Sequence, residues 1–258
     1  MKTNHVKARL RAGKPSIGTW ISVPSPYLVE QVAQVGFDWL VCDAEHNPMN
    51  IETLAEMFMA MAGTGTAPMV RIPWNDGENF KRVLDSGAWG MVVPMVCSKA
   101  EAEAAVRWAK YPPMGERSVG GGRHKISWDA AKEPDYTARA NEETMVVVQV
   151  EHVDAVERAD EIFKVPGVDA CYIGPNDLMA SMGFKPAGDS DNPRFVEAVE
   201  HVLKTAKACG IAPGMHVYSV ESMNRRIAQG FQMLALASEA ALMLAAMKAD
   251  LARVNWKK

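Results

Sequence analysis

Asp43, Glu45 and His46 crowd together where the apolar run Phe37-Asp38-Trp39-Leu40-Val41-Cys42 ends. Two carboxylates and an imidazole side by side offer proton transfer near neutral pH, where imidazole ordinarily titrates. Charged groups at the end of a buried strand lose hydration, so such clusters tend to persist where chemistry uses them. The plainer reading is a polar turn whose acid caps the next helix. Arg71 follows the apolar pair Met69-Val70, and a permanent cation there needs an anionic partner. Its planar fork suits a substrate carboxylate, and it suits equally an internal pair with Asp43 or Glu45. Glu151 has Gln149 two residues before it, on the same strand face. Asp177 closes the run Gly174-Pro175-Asn176-Asp177. If Glu151 and Asp177 face one cavity they repel, so one takes up a proton or a divalent cation sits between them. Two oxygen ligands and several waters describe a magnesium or manganese site with positions open for a substrate. Asp177 reads as well as a helix N-cap, and Glu151 as a first-turn acid that favours the helix dipole.

These residues need elements that bring them together. Apolar runs mark strands at 16–22, 37–42, 67–72, 90–96, 145–150, 168–173, 211–217 and 231–237. Apolar residues at helical spacing mark helices at 24–35, from Asn50, at 77–85, 99–110, 152–163, 193–209, 220–228 and 239–254. Strands alternating with helices imply a parallel sheet with right-handed crossovers. Eight such units in 258 residues suit one α/β domain, 1–258, folded as an eight-stranded parallel (β/α) TIM barrel. A doubly wound open sheet is the runner-up, disfavoured because the first strand-to-helix turn lacks Gly-x-Gly-x-x-Gly. In the barrel, active groups come from the carboxyl ends of strands. That rule collects Asp43, Glu45, His46, Arg71, Gln149, Glu151, Gly174-Pro175-Asn176-Asp177, His216 and Ser238-Glu239 at one mouth. His216 is read either as a core histidine or as a site residue. Residues 111–141 break the rhythm with Pro112-Pro113 and Gly120-Gly121-Gly122, and a loop of that length is usually functional. The glycines suit a phosphate cradle, a mobile lid or a plain flexible loop.

Composition narrows the partners. A net charge of −3 with no long basic or acidic run gives no support for nucleic acid or an anionic membrane. The apolar run at 240–247 is too short to span a bilayer, and residues 1–14 lack the apolar core of a secretory signal. The four cysteines Cys42, Cys97, Cys171 and Cys209 form no metal-knuckle spacing. They read as small thiols in a reducing compartment, which implies the cytoplasm. No lysine lies at an expected strand end, which argues against Schiff-base chemistry.

Five motifs, in order, carry a resemblance over almost the whole chain: Gly-Phe-Asp-Trp-Leu-Val-Cys-Asp-Ala-Glu-His-Asn-Pro, Val-Arg-Ile-Pro, Tyr-Pro-Pro-Met-Gly-Glu-Arg, Val-Gln-Val-Glu and Gly-Pro-Asn-Asp-Leu. The sequence resembles the HpcH/HpaI aldolases, metal-dependent (class II) pyruvate aldolases. The resemblance implies that Glu151 and Asp177 bind a divalent cation (Mg²⁺, Mn²⁺ or Co²⁺). It implies that Arg71 binds the pyruvate carboxylate and that His46 is the acid–base group. Asp43 and Asp85 correspond to aspartates that orient that histidine, while Gln149, Gly174 and Pro175 line the pyruvate pocket. It implies reversible cleavage of a 4-hydroxy-2-oxo acid to a 2-oxo acid and an aldehyde, in a homohexamer whose last helix packs on a neighbour. His152, Met215-His216, Ala-Leu-Ala-Ser-Glu after residue 234 and Gly120-Gly-Gly-Arg-His-Lys depart from the family pattern, and the resemblance implies that the long loop and strand ends seven and eight shape the aldehyde side of the mouth. Two alternatives stand beside this reading. One is an acyl-CoA lyase of the citrate lyase beta-chain type, for which only Arg123, Lys125 and Lys132 supply basic surface. The other is a non-catalytic 2-oxo acid binding protein.

Overall fold

The structure is a computed structural model and describes residues 1–256. Eight strands form it: β1 (Ser16–Ile21), β2 (Trp39–Asp43), β3 (Ala67–Arg71), β4 (Gly90–Val93), β5 (Met145–Val150), β6 (Ala170–Ile173), β7 (Ala212–Val217) and β8 (Met233–Ser238). They pair in chain order, all parallel, and β8 closes on β1. This is the TIM barrel expected from the sequence.

Every residue of β5 is buried, because helices cover one face of the sheet and the barrel interior covers the other. Each buried valine there gains roughly 1.5–3 kcal/mol from leaving water. Alternation divides the side chains into two cores. Leu40, Cys42, Val70, Val148, Cys171 and Ile173 point out into the helix layer. Trp39, Val41, Met69, Val92, Val147, Tyr172 and Ala235 point into the barrel. Gly18 makes room for this filling, since a Cβ there would fall inside the indole of Trp39 and against its carbonyl.

Helix starts follow the capping signals. Asn50, Asp76, Ser98, Ser219 and Ser238 each accept a backbone N–H from the first turn of the helix they precede. The span 152–163 is two short helices, Val153–Glu157 and Ala159–Phe163, where one was expected. Helices His5–Arg11, Arg123–Ser127 and Tyr136–Glu143 were not expected, and Pro175–Ser181 starts after Gly174 rather than after the Asp177 cap that the sequence allowed. Each holds only one or two turns, too few for a 3.6-residue period to show.

Residues 111–144 correct the expectation placed on them. They join helix Lys99–Ala109 to β5, so they cross the amino-terminal face of the barrel, opposite the strand ends that carry the site. There Trp128 stacks on Trp89, centroids 4.4 Å apart, and its carbonyl accepts the Lys2 N–H at 2.7 Å. Lys110 Nζ donates to the carbonyls of Asn141 and Thr144, both at 2.7 Å. This segment is the barrel's floor, so Gly120–Gly122 cannot act as a lid over the mouth of their own barrel. Arg123, Lys125 and Lys132 lie in the same segment. They therefore give that mouth no basic surface of the kind an acyl-CoA would need.

Candidate active site

The same alternation that fills the barrel delivers the polar groups. Trp39 and Val41 are followed on the inner face by Asp43, Met69 by Arg71, and Val147 by Gln149 and then Glu151. Tyr172 leads to Gly174, Gly214 to His216 and Tyr218, and Gly18 to Trp20 and Ser22. They meet at a cavity of about 290 Å³ lined by Trp20, Asp43, His46, Arg71, Gln149, Tyr172, Gly174, Pro175, Asp177, His216 and Tyr218, among others. Glu151 stands just behind this lining, against Gly174 and Gln149.

Parallel pairing sets Asp43 opposite Arg71. Arg71 Nε and Nη2 each donate to the Asp43 carboxylate at 2.8 Å. Its Nη1 stands 3.0 Å from Glu45 Oε2, and the guanidinium lies 4.5 Å above the Trp20 ring. Burial opposes the charge of Arg71, but the hydrogen bonds and charge of Asp43, with Glu45 and Glu151, outweigh it and raise its pKa. The internal pair weighed from sequence is therefore made with both acids at once. Asp43 also accepts Asn47 Nδ2 at 2.6 Å and the Glu45 N–H at 3.3 Å. Its partners are thus Arg71 and its own turn. The carboxylate beside the exposed His46 is Glu45, 3.7 Å from Nε2.

Glu151 is 3% exposed. Its Oε1 accepts the Met95 N–H at 2.8 Å, and its Oε2 accepts the Gln149 side-chain amide. Met95 has φ 52°, a strained backbone for a side-chain-bearing residue that turns this N–H into the site. Burial pushes the Glu151 carboxyl up to about 7; the Met95 bond and Arg71 oppose the rise, and the charges of Glu45 and Asp177 add to it. Glu45 is raised too, by burial first and by Asp43 and Asp177, against Arg71 and His46. Asp177 sits in the first turn of helix Pro175–Ser181, whose N-cap is Gly174, so it is not the N-cap that the sequence also allowed. A Cβ on Gly174 would lie 2.7 Å from Glu151 Oε2 and 2.8 Å from Gln149 Nε2. Only a glycine lets the backbone pass this acid.

Among the described residues no three His, Cys, Asp or Glu side chains converge tightly enough to hold a metal by themselves. The donor chemistry still fits a hard dication. Burial raises the Glu151 carboxyl, the charges of Glu45 and Asp177 add to the rise, and two carboxylates, Glu151 and Asp177, leave coordination positions for waters and substrate.

Asp85 is not brought to His46 within one chain. It ends helix Gly77–Asp85, accepts Arg117 Nη2 at 2.7 Å and lies 3.7 Å from His124 Nδ1, in the floor. Conversely, three aromatic residues that the sequence did not single out, Trp20, Tyr172 and Tyr218, shape the mouth. Trp20 Nε1 donates to the Tyr172 hydroxyl at 3.3 Å, and Asn176 Nδ2 donates to the Tyr218 hydroxyl at 3.0 Å. Glu239 accepts the N–H groups of Ser22 (2.8 Å) and Val23 (2.6 Å), tying β1 to the start of the last helix. The signal available for Trp20, Tyr172 and Tyr218 was their place on the inward period of β1, β6 and β7. His216 lies edge-on to Trp20 (6.0 Å) and to Tyr218 (4.5 Å). Burial, then Arg71, lowers its pKa to about 4, so the ring is neutral at physiological pH. His152 caps the helix after it, Nδ1 accepting the Asp154 N–H.

Comparison with known proteins draws on the whole chain. The 4-hydroxy-2-oxo-heptane-1,7-dioate aldolase of Shigella sonnei is 38% identical over 251 residues, 97% of this chain and 94% of that one. A solved HpcH/HpaI aldolase/citrate lyase family protein from Burkholderia cenocepacia superposes with a TM-score of 0.92 at 31% identity, covering 98% of this chain and all of that one. The HpcH/HpaI aldolase of Desulfitobacterium hafniense gives 0.89 at 32% identity, covering 98% and 97%. The family profile for HpcH/HpaI aldolase/citrate lyase matches residues 16–246, a span that holds all eight strands and every residue that lines the mouth, and on that match and those relatives the chain belongs to the HpcH/HpaI aldolase/citrate lyase family.

Proposed function

We propose that this protein is an aldolase that reversibly cleaves a 4-hydroxy-2-oxo acid to pyruvate, or a close 2-oxo acid, and an aldehyde. The observation that carries the reading is the union at one mouth of a forked guanidinium, Arg71, with the buried acid Glu151, whose carboxyl is raised by burial and by the charges of Glu45 and Asp177. Family membership and the aldolase relatives support the same reaction class. Arg71 binds the substrate carboxylate with the part of its fork that faces the cavity, while Asp43 holds the guanidinium in plane. Glu151 and Asp177 hold a divalent cation, which supplies Lewis acidity where negative charge builds on the keto oxygen. Gln149 fixes the Glu151 carboxylate, and Gly174 and Pro175 form the pocket wall. His46 takes the proton from the C4 hydroxyl as the C3–C4 bond breaks, and the bond's electron pair moves toward the keto group. A proton delivered to C3 then completes the 2-oxo acid.

Asp43 is committed to Arg71, and Asp85 stands in the floor. The expected pairing of Asp85 with His46 is therefore one between neighbouring copies. The last helix, Glu239–Arg253, supports such an assembly: Leu242, Met243, Leu244, Met247 and Leu251 are exposed on it, and an apolar surface of that size suits burial against another copy. A homohexamer is the assembly we propose, with residues 1–258 as one domain. No helix of the described residues is long and apolar enough to cross a membrane. The four cysteines are unpaired, which suits a reducing compartment such as the cytoplasm.

The test is release of pyruvate from a 4-hydroxy-2-oxo acid before and after chelation, with Mg²⁺, Mn²⁺ or Co²⁺ restored. Activity is lost on chelation and regained with metal, and Glu151→Gln lowers it at least about 100-fold. Full activity in that variant, or in chelator, defeats the assignment.

A further inference from the structure

We propose that the outer half of the cavity takes an uncharged hydroxyaldehyde, and that His216 selects it by hydrogen bonding to its hydroxyl. This rests on the aldolase reading above and names the substrate class of that same site. The first observation is charge. Among the described residues that line the cavity, Arg71 is the only guanidinium or ammonium, and it is engaged by Asp43 and Glu45. Beyond the Tyr218 rim the next cations are Arg225 and Arg226, and both bind Asp189. A cleavage product of a heptane-1,7-dioate carries a carboxylate on its aldehyde fragment. In this mouth that second carboxylate would meet ring faces and the acids Asp43 and Asp177; the described residues of its own chain offer no free cation to pair it, and the Arg117 that would arrive with a neighbouring copy's Asp85 is bound to that acid.

The second observation is the wall itself. His216 follows Gly214 on the inward face of β7, and its ring is held edge-on between Trp20 and Tyr218. Its Nδ1 is buried with no hydrogen-bond partner, and the ring lines the cavity. A neutral imidazole presents one donor and one acceptor. Whichever of the two faces the cavity, a hydroxyl can pair with it, giving to the bare nitrogen or receiving from the N–H, whereas a carboxylate can pair only with the N–H. The Trp20 and Tyr218 rings offer apolar surface to the aldehyde's carbons. The nearby Asn176 amide is already used, giving to the Tyr218 hydroxyl and receiving the Gly188 N–H.

The experiment pairs pyruvate with glyceraldehyde, propanal and succinic semialdehyde, and reads kcat/KM for each on the metal-loaded wild-type enzyme. Glyceraldehyde is expected to exceed propanal by about tenfold, and propanal to exceed the semialdehyde, as follows from leaving a site's polar group unpaired or a carboxylate uncompensated. In His216→Leu the advantage of glyceraldehyde over propanal disappears, and in His216→Gln, whose amide again gives and receives, most of it returns. A semialdehyde used as well as glyceraldehyde overturns the proposal, as does an equal loss on both uncharged aldehydes in His216→Leu. The wild-type series stands even if the variants fail to fold. Exchange of pyruvate methyl hydrogens with deuterated solvent, without any aldehyde, separates the two levels. No exchange in the wild type sinks the aldolase reading and this proposal with it, whereas exchange without a hydroxyl preference sinks this proposal alone.

Discussion

Replacing Arg71 by lysine keeps the charge and removes the fork, so it isolates what the guanidinium geometry contributes. Arg71 makes two hydrogen bonds of 2.8 Å to Asp43 and an ion pair of 3.0 Å with Glu45. An ammonium is a point charge on a flexible stem and cannot hold both carboxylates and a ligand together. Asp43 is 5% exposed, so a lost charge-assisted bond is not replaced by water at full strength. The expected destabilisation is about 2 kcal/mol for Arg71→Lys, one such bond. For Arg71→Met it is about 3–5 kcal/mol, because that change leaves buried acids without a counter-charge. For a chain of this size, 2 kcal/mol lowers the melting temperature by roughly 4–8 °C. The functional effect is larger: the 2-oxo acid carboxylate loses a bidentate partner, and kcat/KM falls about 100-fold, with KM for pyruvate in the condensation direction carrying at least tenfold of it. Thermal melts and initial rates on the same samples separate the two effects. If Arg71→Lys melts several degrees lower yet keeps KM and kcat within threefold, the guanidinium serves the fold alone and the carboxylate binds elsewhere.

Two further outcomes follow from the geometry. Gly174→Ala has an allowed backbone (φ −92°, ψ 95°), but its new methyl meets Glu151 and Gln149; divalent-metal affinity in calorimetry and kcat/KM are both expected to fall at least tenfold with little change in melting, and unchanged metal affinity would show that Glu151 need not stay in place. His216 has a folded pKa of about 4 against about 6.5 in an unfolded chain. Between those values the unfolded state binds the extra proton, so the contribution to stability is complete above pH 6.5 and is lost as pH falls toward 4. Urea melts at pH 7 and pH 4.5 are expected to differ by about 2 kcal/mol more in the wild type than in His216→Leu, and identical pH slopes would refute the buried neutral ring.

The barrel was legible because its strands are buried on both faces. Met145-Val146-Val147-Val148 has no polar residue to obscure it, and short joints between strand and helix leave few other topologies. The acids and Arg71 were legible because they break such runs at their carboxyl ends. Pairing was not legible. That Asp43 meets Arg71 depends on a register, Asp43 opposite Arg71, which exists only once two distant segments lie side by side. The floor was misread for a similar reason. Glycines and prolines in 111–144 announce irregular chain, but only the order of helix and strand decides which end of the barrel it crosses. Trp20, Tyr172 and Tyr218 were invisible as site residues because an aromatic on an inward strand position looks the same whether it ends in core or in cavity.

The charges also explain how one small cavity can order two unlike fragments. Arg71 is drawn to one side by Asp43 and Glu45, which leaves Glu151 and Asp177 short of positive charge. Burial, and after it the charges of Glu45 and Asp177, raise the Glu151 carboxyl; a dication held there would relieve this and leave positions for the oxygens of a keto acid. The aromatic wall has no such deficit: Trp20 and Tyr218 are uncharged, and His216 is held neutral by burial and by Arg71 itself. A substrate with its charge at one end is therefore oriented by the wall it cannot pair with as much as by the groups that bind it. In the proposed reaction this places the carboxylate and keto group at the acids and Arg71, and the aldehyde carbon between them and His216. Placing a second charge on the aldehyde fragment removes that asymmetry, so such a substrate should lose orientation as well as affinity, and its kcat should fall along with its kcat/KM.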